Sequence, residues 1–280
     1  MAGGTELQRR SSTAATLAVL AKAGHRHEII DLAGDGFTAG KYTDINVGGK
    51  SVLRLYPAKN DMVLIGGHGA VGNHINILSL LKAKYPDIPL LYAGQDEDIT
   101  VVQETAPTQQ SIYFYDMTTG EIASHKLPGG SDGYPRPYIA WVSHSAAVTA
   151  TGITKLDTSL APTGALGIKD LYTFAGFNFR LLGIIFASAK VVASTPLWLR
   201  IFDGETFMFD DDRNGLMINA DRNECKCDVT VGKLFLLERP HVFKDKTQIG
   251  LEMYCSHDGT NNITAGTELL GLVGLIEPLA

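Results

Sequence analysis

Short apolar runs, each broken after a few residues by glycine, proline or a polar cluster, set the rhythm of this chain. Val52, Leu53, Leu55 and Tyr56 predict one strand and residues 61–65 another. Residues 112–115, 138–142, 181–186, 197–202 and 206–209 continue the series, followed by 227–231, 234–237, 249–254 and 269–276. Several of these alternate. Cys225, Cys227, Val229 and Val231 share one parity, as do Ile249, Leu251, Met253 and Cys255. Successive strand side chains point to opposite faces, so a shared apolar parity marks a side turned to a core. One segment departs from this pattern. Residues 73–85 place Ile75, Leu78 and Leu81, or Ile77 and Leu81, at helical spacing, and Pro86 and Pro89 close it. Closely spaced short strands predict a mainly β chain of sandwich or jelly-roll units with one short helix at 73–85.

Length makes that two units. At 280 residues the chain exceeds one ordinary sandwich, and its 45% hydrophobic content supplies cores for two. Thirty glycines fit turn-dense β architecture better than long helices. An internal echo points the same way. Thr105, Pro107, Ile112–Tyr115, Asp116 and Gly120–Glu121 are followed in the same order by Thr195–Pro196, Leu199–Phe202, Asp203 and Gly204–Glu205. A unit used twice would leave this trace. It sets the expected division near residue 160, giving a first unit over 28–160 and a second over 161–280. Residues 1–27 stand apart, with Arg9, Arg10, Lys22 and Arg26 against the single acid Glu6. Helix formers from Ser12 to Ala23 predict a short helix there. The segment reads either as a frayed terminus or as a basic arm for neighbouring subunits, a membrane surface or a genome.

Charge and cysteine narrow the function classes. A net charge of −6 argues against a surface devoted to nucleic acid. No run nears the roughly 18 apolar residues of a membrane span. Three cysteines are too few, and odd in number, for a disulfide-stapled secreted domain. The apolar stretch 14–21 follows Glu6, Arg9 and Arg10 and is interrupted by Thr16, unlike a secretory signal. Synthesis in a reducing cytoplasm is expected.

Three constellations carry candidate chemistry. Gly67-His68-Gly69-Ala70-Val71-Gly72 lies between a predicted strand and the predicted helix, and residues 88–92 then lead into Gln95-Asp96-Glu97-Asp98. Locally this is a dinucleotide fingerprint. No second crossover helix follows, and a glycine-rich connection is the competing reading. Asp210, Asp212, Asn214 and Asp221 have the spacing of oxygen ligands in a calcium loop. Their flanks read as strand, so an acidic hairpin tip competes. Cys225-x-Cys227 and Cys255-x-His257 offer two pairs for tetrahedral zinc, against core-facing cysteines. No nucleophile-elbow pattern surrounds any serine, and Trp141 and Trp198 sit inside apolar strand patterns rather than on sugar-binding loops.

The small-residue basic segment 2–23, the many short strands and the loop Leu127-Pro128-Gly129-Gly130-Ser131-Asp132-Gly133 together resemble bacteriophage virion structural proteins with jelly-roll folds. The C-terminal pattern, 236–240, 249–254 and 269–277 with a polar turn at 256–262, carries most of that likeness. The resemblance implies a non-enzymatic capsid role with no catalytic residue and no cofactor beyond the candidate calcium. It implies assembly with copies of itself and other virion proteins, residence in the virion after synthesis in a host cytoplasm, and two jelly rolls in one chain. Two other function classes remain alongside it: a nucleotide-binding enzyme or sensor using Gly67 to Gly72, and a calcium-stabilised carbohydrate-binding or adhesion module.

Overall fold

The computed structural model describes residues 4–38, 41–55, 83–85, 91–118, 136–144, 152–156, 158–160, 176–188, 197–204, 206–207, 216–218, 234–247, 249–257 and 268–279. Two compact units emerge: Met1–Tyr138 with Ile276–Pro278, and Ile139–Leu275 with Leu279–Ala280.

The first unit contains β1 (Thr5–Ser12), β2 (Thr16–Val19), β3 (His25–Asp35), β4 (Thr43–Val47), β5 (Lys50–Leu55), β6 (Leu91–Ala93), β7 (Ile99–Gln103) and β8 (Gln109–Thr118). They pair first with last: β1 with β8, β2 with β7, β3 with β6 and β4 with β5, all antiparallel. This is one long ribbon whose tip is the β4–β5 hairpin. Rolling it up brings β8 against β3 and β7 against β4. The result is two facing four-stranded sheets, β1-β8-β3-β6 and β2-β7-β4-β5, which is a jelly roll. Gly48 and Gly49 make the hairpin tip possible, with φ of 57° and 76°. Two successive left-handed residues form the turn whose twist matches a two-residue hairpin.

The second unit contains β9 (Arg136–His144), β10 (Gly152–Leu156), β11 (Thr158–Leu160), β12 (Phe177–Ser188), β13 (Leu197–Asp203), β14 (Thr206–Phe207), β15 (Leu216–Ile218), β16 (Leu234–Phe243), β17 (Ile249–His257) and β18 (Glu268–Pro278). Its sheets run β11-β9-β18-β12-β16 and β10-β17-β13-β14, with β15 also on β13. Remove β11 and β15 as additions, and the same rolled ribbon remains: β9 beside β18, β10 beside β17, β12 beside β16, β13 beside β14. The chain is therefore mainly β, built as two jelly rolls in tandem.

Each core lies between its two sheets. In the first, Ile29, Leu32, Ile112 and Phe114 of one sheet face Leu17, Ile45, Leu53 and Val101 of the other, all nearly inaccessible to solvent. In the second, Phe179, Leu181, Ile201, Phe243, Ile249 and Leu272 do the same, and the Phe179 and Phe243 rings stack at 6.3 Å. Trp141 is buried in β9, as its apolar setting predicts.

Three expectations change. Residues 5–19 form no helix and no detached arm; they are β1 and β2, paired along their length in the first roll. Helix propensity over 12–23 yields to tertiary pairing, since β1 and β2 each complete a sheet. The division falls at Tyr138/Ile139 rather than near 160, so β10 and β11 belong to the second roll. The echo aligned β8 with β13, yet β8 is the last strand of its ribbon and β13 the fourth of the other. It matches non-equivalent strands. Of the predicted helix, Ala83 and Lys84 are helical, and residues 73–82 lie outside the described residues. The predicted strands at 61–65 and 227–231 also lie outside them.

Gly274 of β18 has no room for a side chain: a Cβ there meets the Arg180 carbonyl oxygen and comes within 2.7 Å of the Phe179 ring. Gly274→Ala is expected to lower unfolding free energy by about 1–3 kcal/mol through overpacking, as measured by chemical denaturation.

Candidate functional site

Alternation along β8 puts Gln110, Ile112, Phe114 and Asp116 on the interior face, so two polar residues enter an otherwise apolar layer. Three polar clusters follow from this and from β4–β5 pairing.

The first is an ion pair across the hairpin. Asp44 and Arg54 are direct cross-strand partners, 7% and 5% exposed. Arg54 Nη2 donates to Asp44 Oδ2 at 2.7 Å and Nε to Oδ1 at 3.3 Å, while Ser51 Oγ donates to Oδ1 at 2.5 Å. The guanidinium also lies 4.1 Å from the Tyr42 ring centroid. Both carboxylate oxygens thus find donors, the condition for tolerating a buried charge.

The second bridges the two sheets at the β7–β8 corner. Thr43 Oγ1 donates to Gln103 Oε1, Gln103 Nε2 to Gln110 Oε1 at 3.0 Å, and Gln110 Nε2 to the Ala14 carbonyl at 2.8 Å.

The third surrounds Asp116, 6% exposed. His25 Nδ1 lies 2.6 Å from Oδ1; Lys22 Nζ and Gln8 Nε2 donate to Oδ2 at 3.1 and 3.4 Å; His27 Nε2 stands 3.8 Å away. Burial pushes the Asp116 carboxyl upward, but hydrogen bonds and positive charge from Lys22 and His25 outweigh it and hold the pKa below the ordinary value. His27 packs edge-on against Phe114 at 5.0 Å, and its Nδ1 has no hydrogen-bond partner. Burial lowers its pKa, Asp116 opposes, and the charges of His25 and Lys22 add to the lowering. An acid beside two histidines has the parts of a proton relay. Among the described residues no serine, threonine or cysteine is hydrogen-bonded to either ring.

In the second unit, His241 Nε2 sits 2.8 Å from Asp203 Oδ2, both partly exposed. Among the described residues no three His, Cys, Asp or Glu side chains gather as a metal site.

The sequence-predicted sites fare differently. Gly67 to Gly72, the calcium candidates Asp210, Asp212, Asn214 and Asp221, and Cys225 and Cys227 lie outside the described residues. Strands β14 and β15 border the acidic stretch on either side, so its flanks are strands as expected, not the helices of an EF-hand. Cys255 and His257 lie on β17, with backbone partners Thr154 and Gly152 on β10. The second strand of that fingerprint, expected at 88–92, overlaps β6, which pairs antiparallel with β3, whereas a dinucleotide fold needs a parallel sheet. Glu97 and Asp98 are engaged by the backbone of the first roll: Glu97 Oε2 accepts from Gly94 N at 2.8 Å, and Asp98 Oδ1 from Ala21 N at 2.5 Å. Three of the four basic residues of the expected arm are also engaged. Lys22 reaches Asp116, Arg9 lies over Tyr113 and Arg26 over Tyr92.

No family model matches the chain, and no curated protein matches it. Among solved structures it is similar to the major capsid protein P2 of bacteriophage PM2, at 10% identity and a TM-score of 0.49 over 99% of this chain and 98% of that one. It is also similar to the STIV major capsid protein (11%, 0.40, 99% and 97%) and to the PBCV-1 virus capsid (8%, 0.33, 98% and 95%). Strand order and register define the two jelly rolls without reference to these likenesses.

Two outcomes follow from the clusters. Asp44→Ala leaves Arg54 charged and buried without its carboxylate, costing about 3–5 kcal/mol, whereas the apolar double replacement Asp44→Leu with Arg54→Met recovers most of the loss; denaturant titration checks both. For pH, a lowered histidine pKa means that the unfolded chain takes up the proton first, so stability falls as pH drops below 6.5, the ordinary value for His27. The lowered Asp116 pKa contributes stability above 3.8 that is lost as pH falls further, through its folded value. His27→Leu should flatten the decline between pH 6.5 and the carboxylate range while leaving the second step, read from melting temperatures against pH.

Proposed function

We propose that this chain is a capsid subunit of a virus particle, non-catalytic and assembling with copies of itself. The observation that carries the reading is the tandem of two rolled ribbons with the same strand order in one polypeptide. A jelly roll closes its core between two sheets and leaves its outer faces, edges and loop ends for contact with neighbours. A chain that carries two presents six such bodies in a ring of three copies, which approximates a hexagonal tile while obeying only threefold symmetry. Many modest interfaces then sum to a stable shell.

The buried polar residues of the first roll support the same reading. Asp44, Arg54, Gln103, Gln110 and Asp116 are held by one another and by neighbouring strands, an arrangement that stiffens a wall rather than leaving groups for a substrate. Virion partners beyond the chain itself, a phage rather than another host range, and synthesis in the host cytoplasm belong to this proposal.

Fold alone does not dictate function, so the test must read assembly directly. Purified protein at high concentration, examined by native mass measurement and electron microscopy, is expected to form trimers and larger rings or shells. A strict monomer at every concentration would overturn the proposal.

A further inference from the structure

Strand β1 is paired with β8 from Thr5 to Ser12, and no described strand pairs with its other side. Thr5, Glu6, Leu7, Arg9, Arg10 and Ser11 are exposed, with Gln8 and Ser12 half-buried. Leu7 is 59% exposed and stands opposite Tyr115, itself 38% exposed. A long, regular edge of this kind is a template for another strand unless something covers or blunts it. The Glu6 carboxylate is hydrogen-bonded only by Gln8 among the described residues, and Arg10 has no ion-pair partner there.

We propose that β1 pairs antiparallel with β1 of a second copy across a two-fold axis at Gln8, so that Glu6 of each copy faces Arg10 of the other. This rests on the assembly reading above in taking a second copy of the chain as partner. The register follows from strand geometry. Alternate residues direct their N–H and C=O groups to opposite edges, so half of those in β1 are bonded to β8 and the other half face outward. In an antiparallel pair, an outward-facing residue must meet an outward-facing residue. For two identical strands, facing residues therefore share parity, and the axis passes through a residue rather than between two.

Three central residues of β1 can carry the axis. Centred on Leu7, Glu6 meets Gln8 and Thr5 meets Arg9, which leaves the charges unmatched and the ladder short. Centred on Arg9, that arginine faces its own copy. Centred on Gln8, Glu6 meets Arg10, Leu7 meets Arg9 and Thr5 meets Ser11. Opposite charges then face each other twice by symmetry, and the stem of Arg9 covers the exposed Leu7. The contact is isologous and joins the two β1-β8-β3-β6 sheets into one.

A charge-reversal cycle on the full chain tests this, read by sedimentation equilibrium. Arg10→Glu sets Glu6 against a glutamate, and Glu6→Arg sets two arginines together. Each should raise the dimer dissociation constant by roughly tenfold or more. The double variant Glu6→Arg with Arg10→Glu restores the pairing and should return the constant to near its original value, which only a self-complementary register can do. Independently, Gln8→Cys should form a covalent dimer on oxidation beyond the level of the parent chain. Facing residues in an antiparallel pair lie roughly 5 Å apart at Cα, within disulfide reach. Leu7→Cys, which faces Arg9 of the other copy, should not. Circular dichroism and melting temperature verify that each variant folds.

The proposal fails if the double reversal does not restore association, or if Gln8→Cys cross-links no better than Leu7→Cys on a denaturing gel. Shells that form without a Gln8 cross-link would sink this edge contact and leave the capsid reading standing. Cross-linked dimers that never grow into larger particles would do the reverse.

Discussion

The ladder of β8 between β1 and β3 organises the first roll. It joins the last strand to the first along one edge and to the third along the other, and so converts a flat ribbon into a closed sandwich. Its register decides which residues see the interior. With Phe114 opposite Gln8 and Ile29, the faces sort into Ile112 and Phe114 within and Tyr113 and Tyr115 without. A slip of one residue would exchange them, expelling two large apolar side chains and burying two phenols. The register shift between Ile29 and Asp31 interrupts the alternation of β3, and the strand resumes with Leu32 inward.

The buried polar groups act on the same constraint from the other direction. A satisfied pair such as Asp44–Arg54 adds little net stability over an apolar pair of similar size. In a slipped hairpin, though, each charge would be buried without its partner, at a cost far larger than the pair contributes in place. Gln103 and Gln110 lie on opposite sheets and hydrogen-bond across the corner, so they hold the roll closed where β7 hands over to β8. Asp116 gathers Lys22 and His25 from the start of β3 and the turn before it, together with Gln8 of β1. That arrangement makes the opposite end of β8 sensitive to protonation.

Closing the interior leaves the edges as the remaining problem of any sandwich. In the second roll, β11 extends the sheet beyond β9, so the first strand of that ribbon is covered within the chain. The equivalent strand of the first roll, β1, has no such addition among the described residues. In the antiparallel register centred on Gln8, its one acid and two arginines set no like charges opposite each other. The two rolls share a topology but differ at this position.

The sequence alone determined the class of structure. Period-two alternation, aromatic and β-branched enrichment and glycine punctuation locate β5, β8, β9, β12, β13, β16, β17 and β18 within a few residues, because those features reflect burial of one face, which is local. It also pointed to two units, through length. Tertiary structure decided the rest. Residues 5–19 read as an arm because β1 is exposed on both faces and shows no alternation; it is a strand only because β8 pairs with it. The echo between β8 and β13 misled because one β segment resembles another whatever its place in a ribbon. Asp116 was visible as a polar residue of core parity after Ile112 and Phe114, and His25 and His27 as a pair of like parity. Yet Lys22, His25 and Gln8 lie some ninety or more positions from Asp116, and only the wrap of the ribbon brings them to one carboxylate. Faces are written in the chain one residue at a time, whereas neighbours across a sheet are chosen by which strands can bury their faces together.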